Sequence, residues 1–145
     1  AFVRQIAIAK KIKKPLIIHC RDAMQLTLEV LISQNAREVG GVMHSYSGSK
    51  EMAPLFIKEN FMIGIGGPVT FLNAKAPKEV VASIDENYLL SETDAPYLAP
   101  HPYRGKENRP VYIPLIVAKM AELRGTDQTI LAKTIMNNAR KLFKI

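Results

Sequence analysis

Apolar residues recur along the chain in two rhythms, and the switches between them mark out its elements. Phe2, Ile6, Ala9 and Lys13 fall on one helical face with Val3, Ile8 and Ile12 beside it, so an amphipathic helix is expected to end near Lys14. Pro15 stops it. Residues 16–18, Leu-Ile-Ile, form a short unbroken apolar run of the kind a buried parallel strand carries. Asp22 is placed to cap a second helix reaching about Asn35, with Leu26, Val30 and Leu31 inward. Gly40 and Gly41 break the chain, and Val42 and Met43 resume a strand. Ser49 opens a third helix to about Asn60, with Met52, Leu55 and Phe56 inward. Residues 61–65 read as the next strand, closing in Gly66, Gly67 and Pro68. A connecting segment then leads to a helix that Pro77 can start and that runs to about Ile84. Residues 88–90 are the fourth strand.

Residues 95–110 hold Pro96, Pro100, Pro102 and Pro110 and predict a long loop of the kind that carries function. A helix over 111–124 follows, with Pro114 tolerated in its first turn and Gly125 ending it. Thr126 is expected to cap another helix to about Met136. Asn137 and Asn138 should break the chain before a last amphipathic turn, 139–143. The alternation αβαβαβαβαα predicts an α/β fold, a parallel sheet with right-handed crossovers, in one unit over residues 1–145.

Composition adds limits. Apolar residues make up 48% of the 145, enough for a real core, and no run approaches the ~18 apolar residues of a membrane span. The basic residues near the start follow the apolar ones, unlike a signal peptide. The chain opens without methionine and inside a helical pattern, so the expectation is that an earlier part of the protein is missing. Cys20 is the only cysteine, which rules out an internal disulfide and predicts a reducing, cytoplasmic setting. The formal charge is +7. Lys10, Lys11, Lys13 and Lys14 complement a helix C-terminus. Arg104, Lys106 and Arg109 cluster in the proline loop and suit a polyanion.

Three strands stop at groups that bind metals: His19, His44 and Asp94. The remaining strand stops at Gly66 and Gly67, where backbone can approach a ligand. In a parallel sheet these ends lie on one side, so the groups converge, and two imidazoles with a carboxylate suit Zn²⁺, Mn²⁺ or Fe²⁺. Each residue alone also has a bland reading as a cap or a satisfied core group. Arg21, two residues past His19, offers a planar fork that matches phosphate; the competing reading is an ion pair with Asp22 or Glu29. Arg104 and Lys106 lie over the same strand ends and fit an anionic substrate. Tyr97 is expected to pin the loop rather than stack on a base. His101 is expected at the surface, and Cys20 packed and inert. Ser45 and Ser47 lack a histidine–acid partnership, which argues against a serine nucleophile.

The segments RQIAIAKKIKKPLIIHCRDA, GGVMHSYSGS, IGIGGPVTFLNAK, LLSETDAPYLAPHPYRGKENRP and NNARKLF together resemble the TatD family of metal-dependent deoxyribonucleases over nearly the whole chain. Ser45 and Tyr46 stand where the family often has cysteine and phenylalanine, and His101 where an apolar residue is common. The resemblance implies a TIM barrel, with this chain as its C-terminal half, strands five to eight. It implies that His19, His44 and Asp94 are metal ligands. Asp94 would also serve catalysis as proton acceptor; substrate binding by Arg21 and Arg104 is expected from their position over the strand ends, not from the resemblance. The family's His-x-His pair and a further glutamate ligand have no counterpart in this chain. It implies two divalent metal ions, with Mg²⁺, Mn²⁺ and Zn²⁺ not distinguished. The reaction would be phosphodiester hydrolysis of DNA by metal-activated water. An amidohydrolase-like deacylase on the same cage, and an inactive half or weak polyanion binder, are the alternatives. A half barrel leaves two strand edges open, which predicts a homo-oligomer through those edges.

Overall fold

The expected alternation is realised in a computed structural model describing all residues 1–145. The elements are α1 (Phe2–Ile12), β1 (Leu16–His19), α2 (Met24–Ser33), β2 (Gly41–His44), α3 (Ala53–Lys58), β3 (Phe61–Ile65), α4 (Lys75–Ser83), β4 (Leu89–Ser91), α5 (Ile113–Arg124) and α6 (Gln128–Phe143). The strands form one sheet in the order β1-β2-β3-β4, and every pair is parallel. Strand order follows chain order because each helix crosses over in the same sense and deposits the next strand beside the last.

The sheet separates two apolar layers. On its outer face Ile18, Met43, Ile63 and Leu89 pack with Leu28, Leu31, Phe56, Val80, Ile116, Met120 and Leu131 of the helices in the main core. On its inner face Val42, Met62 and Leu90 pack beneath Ala139, Leu142 and Phe143 at the end of α6. Alternation along each strand produces this division. β1 and β4 have a strand neighbour on one side only. At the β1 edge the inner-face Ile17 is 65% exposed, whereas its β2 partner Val42 is 3% exposed. No helix is long and apolar enough to cross a membrane.

Several local expectations are corrected. α6 runs unbroken through Asn137 and Asn138. Asn138 is buried, and its amide donates to the carbonyls of Glu86 at 2.7 Å and Leu89 at 2.9 Å, tying the helix to the start of β4. The α6 cap is Asp127, not Thr126; its carboxylate accepts from the N–H groups of Thr129 and Ile130. Asp22 does not cap α2: it has φ 57°, and the helix starts from Ala23 without a side-chain cap. On α2, Leu28 and Leu31 are buried and Met24 and Val30 pack against the core, while Leu26, expected inward, is exposed. α3 begins only at Ala53, after a turn in which the Ser49 hydroxyl accepts from the Met52 N–H. Ala53 and Phe56 face inward there and Leu55 outward.

Candidate metal centre

The β1–β2 register sets His19 directly beside His44, with ring centroids 6.2 Å apart and planes tilted 42°. Beyond Ser91 the β4 ladder continues, since the Glu92 N–H donates to the Ile65 carbonyl at 3.0 Å. Glu92 and Asp94, two residues apart, then share a face. Both reach His44. Glu92 Oε2 lies 2.8 Å from His44 Nδ1, and Asp94 Oδ1 lies 3.0 Å from Nε2. The other Glu92 oxygen accepts from the Ser45 N–H. Burial works to lower the His44 pKa, but the hydrogen bonds and charges of Glu92 and then Asp94 outweigh it. The imidazole is held above its ordinary value.

Asp94 is aimed by a tight turn. It has φ 60°, and its carbonyl accepts from the Tyr97 N–H at 2.9 Å. The turn is pinned from behind by Asn108, which is 2% exposed. Its amide donates to the carbonyls of Thr93 at 2.6 Å and Tyr97 at 2.7 Å, and its own N–H donates to Pro96 at 2.9 Å. The Tyr97 ring is 70% exposed, so Asn108 holds the loop and the tyrosine does not. Gly67 serves the same loop: a Cβ there would lie 1.9 Å from the Leu98 carbonyl oxygen. Its lack of a side chain thus admits the loop backbone.

A cavity of about 470 Å³ opens at these strand ends. His19, Arg21, Ser45, Ser47 and Asp94 give it a polar wall, and Ile65, Pro68, Val69 and Leu98 an apolar one. Arg21 is on that wall. Glu29, its alternative partner, instead accepts from Gln25 at 2.8 Å. Arg104 does not line the cavity; its guanidinium lies 4.5 Å over the Phe71 ring. Lys106 is exposed, and Arg109 pairs with Glu107 at 3.5 Å. His101 is exposed, and its N–H donates to the Thr70 hydroxyl. Cys20 is buried in the main core with Sγ 3.2 Å from the Thr27 hydroxyl.

No three His, Cys, Asp or Glu side chains stand close enough together to hold an ion by themselves. The donor chemistry nevertheless fits part of a cation site. His44 Nδ1 is held by the Glu92 carboxylate, the kind of partner a metal-ligating histidine carries, while Nε2 and Asp94 offer an imidazole and a carboxylate donor side by side. The pattern of residue types reached His19, His44 and Asp94 but missed Glu92, Asn108 and the glycine at 64. The spacing of Glu92 and Asp94 was the one available signal for the first.

A parallel sheet with helices on its outer face and metal-type donors at the C-terminal strand ends defines a barrel-type α/β protein. The chain belongs to the TatD related DNase family, which matches residues 1–144. It is 46% identical over 144 residues to the uncharacterized metal-dependent hydrolase YabD of Bacillus subtilis (strain 168), covering 99% of this chain and 56% of that protein. It is 35% identical over 150 residues to the 3'-5' ssDNA/RNA exonuclease TatD of Pectobacterium atrosepticum, covering 100% of this chain and 58% of that one. The crystal structure of YjjV, a TatD homologue from Escherichia coli K12, superposes with a TM-score of 0.91 at 31% identity. That match covers 97% of this chain and 54% of the other. The chain thus spans about half the length of the curated relatives it matches. The expected family and the expected α/β, barrel-type fold both stand on these likenesses.

Proposed function

We propose that this chain forms part of a divalent-metal-dependent hydrolase that cleaves phosphodiester bonds of DNA. The observation that carries the reading is His44 gripped between Glu92 and Asp94, the latter lining a cavity on the C-terminal side of the sheet together with His19 and Arg21. The names of the relatives support it: YabD is called a metal-dependent hydrolase, and the Pectobacterium protein a nuclease. His44, Asp94 and His19 would hold the ion or ions, completed by donors from outside these residues. A bound divalent ion supplies Lewis-acid charge and an acidified water at such a site. Asp94, 35% exposed and lining the cavity, would accept a proton from the attacking water. Arg21 offers its fork to a phosphate oxygen from the cavity wall. Arg104 would have to leave Phe71 to do the same.

A deacylase acting on C–N or ester bonds could use the same donors. Arg21, with no carboxylate claiming it, favours the phosphodiester. The test is hydrolysis of single-stranded DNA and of an acyl ester by the full-length protein that contains this chain, with Mn²⁺, beside its Asp94→Ala variant. Cleavage of DNA that Asp94→Ala lowers by at least about a hundredfold is expected. Equal activity of the two proteins, or preference for the acyl ester, defeats the reading.

A further inference from the structure

His44 lies at the end of β2 and Glu92 just past the end of β4, with β3 between them. Neighbouring strands lie about 4.8 Å apart, so the Glu92 side chain must cross the full width of β3 to reach the imidazole. It crosses at Gly64. A Cβ built on Gly64 would lie 2.7 Å from Glu92 Oε2, 2.8 Å from its Cδ and 2.8 Å from Oε1. These are the carboxylate's own atoms, the end of the side chain that grips His44 and Ser45. The backbone does not ask for glycine here, because Gly64 is not among the residues with positive φ. A glycine inside a fully buried strand gives up packing and costs conformational entropy. The demand comes from the carboxylate that lies over it.

We propose that Gly64 and Glu92 act as one positioning device for His44. Glu92, closer and more buried than Asp94 and fixed by the Ser45 N–H, wins the single hydrogen of the neutral ring for Nδ1, which sets the tautomer and leaves Nε2 for an ion beside Asp94. Its second oxygen takes the Ser45 N–H, so both oxygens are committed and the carboxylate cannot swivel. Gly64 contributes by lacking a side chain: any larger residue pushes the carboxylate off its path. Neither residue is a ligand; both act through His44. The importance of this device for ion binding rests on the reading of His44 as a ligand, whereas the tautomer it sets does not.

The test separates the two. In the metal-free full chain, in alkaline solution where the ring is neutral, long-range ¹H–¹⁵N NMR should show His44 as a single Nδ1-protonated tautomer. Gly64→Ala, whose methyl pushes the carboxylate off Nδ1, and Glu92→Gln, whose amide offers one acceptor where two donors need one each, should each yield a mixture with the Nε2-protonated form. Zn²⁺ affinity should fall about 10–100-fold in each variant. The double variant should fall no further than the worse single one, as expected for residues acting as a unit. Retention of the wild-type tautomer in Gly64→Ala, or losses that multiply in the double variant, overturns the proposal. If Gly64→Ala does not fold, Glu92→Gln decides: an unchanged tautomer overturns the proposal and a mixed one supports it. A full-length protein containing this chain that shows the tautomer and its loss in the variants, yet binds no Zn²⁺, overturns the metal reading and leaves the positioning device standing.

Discussion

Two histidines end neighbouring strands of one sheet in the same register, yet their surroundings differ sharply. His44 has a carboxylate on each ring nitrogen and is 23% exposed. His19 is exposed, lines the same cavity, and has no side-chain hydrogen bond. Position in the sheet explains the contrast. β2 has strands on both sides, so Glu92 and Asp94 arrive from two strands away and close over its end. β1 is an edge, and the level below His19 is already open, with Ile17 65% exposed. A metal-type residue at a strand end is therefore only a candidate donor. What makes it a prepared one is the neighbouring element that fixes its ring. On the proposed function, His19 would gain that support from groups arriving on the open side of β1.

The largest effect should test this contrast directly. In the full chain, His44→Ala is expected to weaken Zn²⁺ binding more than the ~10–100-fold lost with a ligand's hydrogen-bond partner. His19→Ala should weaken it less, because a ring not held in place loses part of its contribution to ordering on binding. Titration against a competing chelator measures both. Equal losses would break the comparison by showing that His19 is held as firmly as His44.

Next in size is the support behind Asp94. Asn108→Ala leaves the Thr93 and Tyr97 carbonyls without their buried donor, at about 1–3 kcal/mol. For a domain of this size the melting temperature should drop by several degrees, at ~2–4 °C per kcal/mol. Arg21→Ala, on the loose β1 side, should stay within about 0.5 kcal/mol of the parent and instead weaken substrate binding. If Arg21→Ala melted as low as Asn108→Ala, the two sides of the site would be equally built, and the contrast would fall.

The same division governs what could be read from the amino-acid pattern. Phe61–Ile65 announces itself because every residue of a doubly covered strand is apolar; Leu-Ile-Ile at 16–18 carries the same kind of run although its Ile17 is 65% exposed. Strand order then follows from crossover handedness. Asn138 reads as a breaker because polar residues seldom sit inside a helix face; its partners, the Glu86 and Leu89 carbonyls, lie about fifty residues away in the chain. In α2 and α3 the expected inward residues Val30, Leu31, Met52 and Phe56 do pack on the core, while Leu26 and Leu55 face outward. His19, His44 and Asp94 were legible as metal-type residues at strand ends, and the fold does bring His44 beside both His19 and Asp94. Glu92 was not, because its role exists only once β3 lies between β4 and β2 with a glycine at the crossing point. Arg104 was assigned to substrate from its place in a loop, and only the fold brings Phe71 beneath it.

The smallest effect concerns the proton that His44 holds when no ion is bound. Burial alone would make the ring easier to deprotonate, but Glu92 and Asp94 on its two nitrogens reverse this and raise its pKa above 6.5. The stability this contributes is fully present below 6.5 and is lost as pH rises through the folded-state value. The metal-free chain should therefore melt lower in mildly alkaline than in mildly acidic solution. Partial exposure keeps the difference under about 1 kcal/mol. Glu92→Gln removes the strongest partner and should shrink it. An ion taken up by His44 needs the neutral ring, so Zn²⁺ competes with the proton, and stabilisation by the ion should grow with pH. Opposite slopes with and without Zn²⁺ would place one proton and one ion in competition for Nε2. Parallel slopes would mean that the ion, wherever it binds, leaves the His44–Glu92–Asp94 cluster untouched.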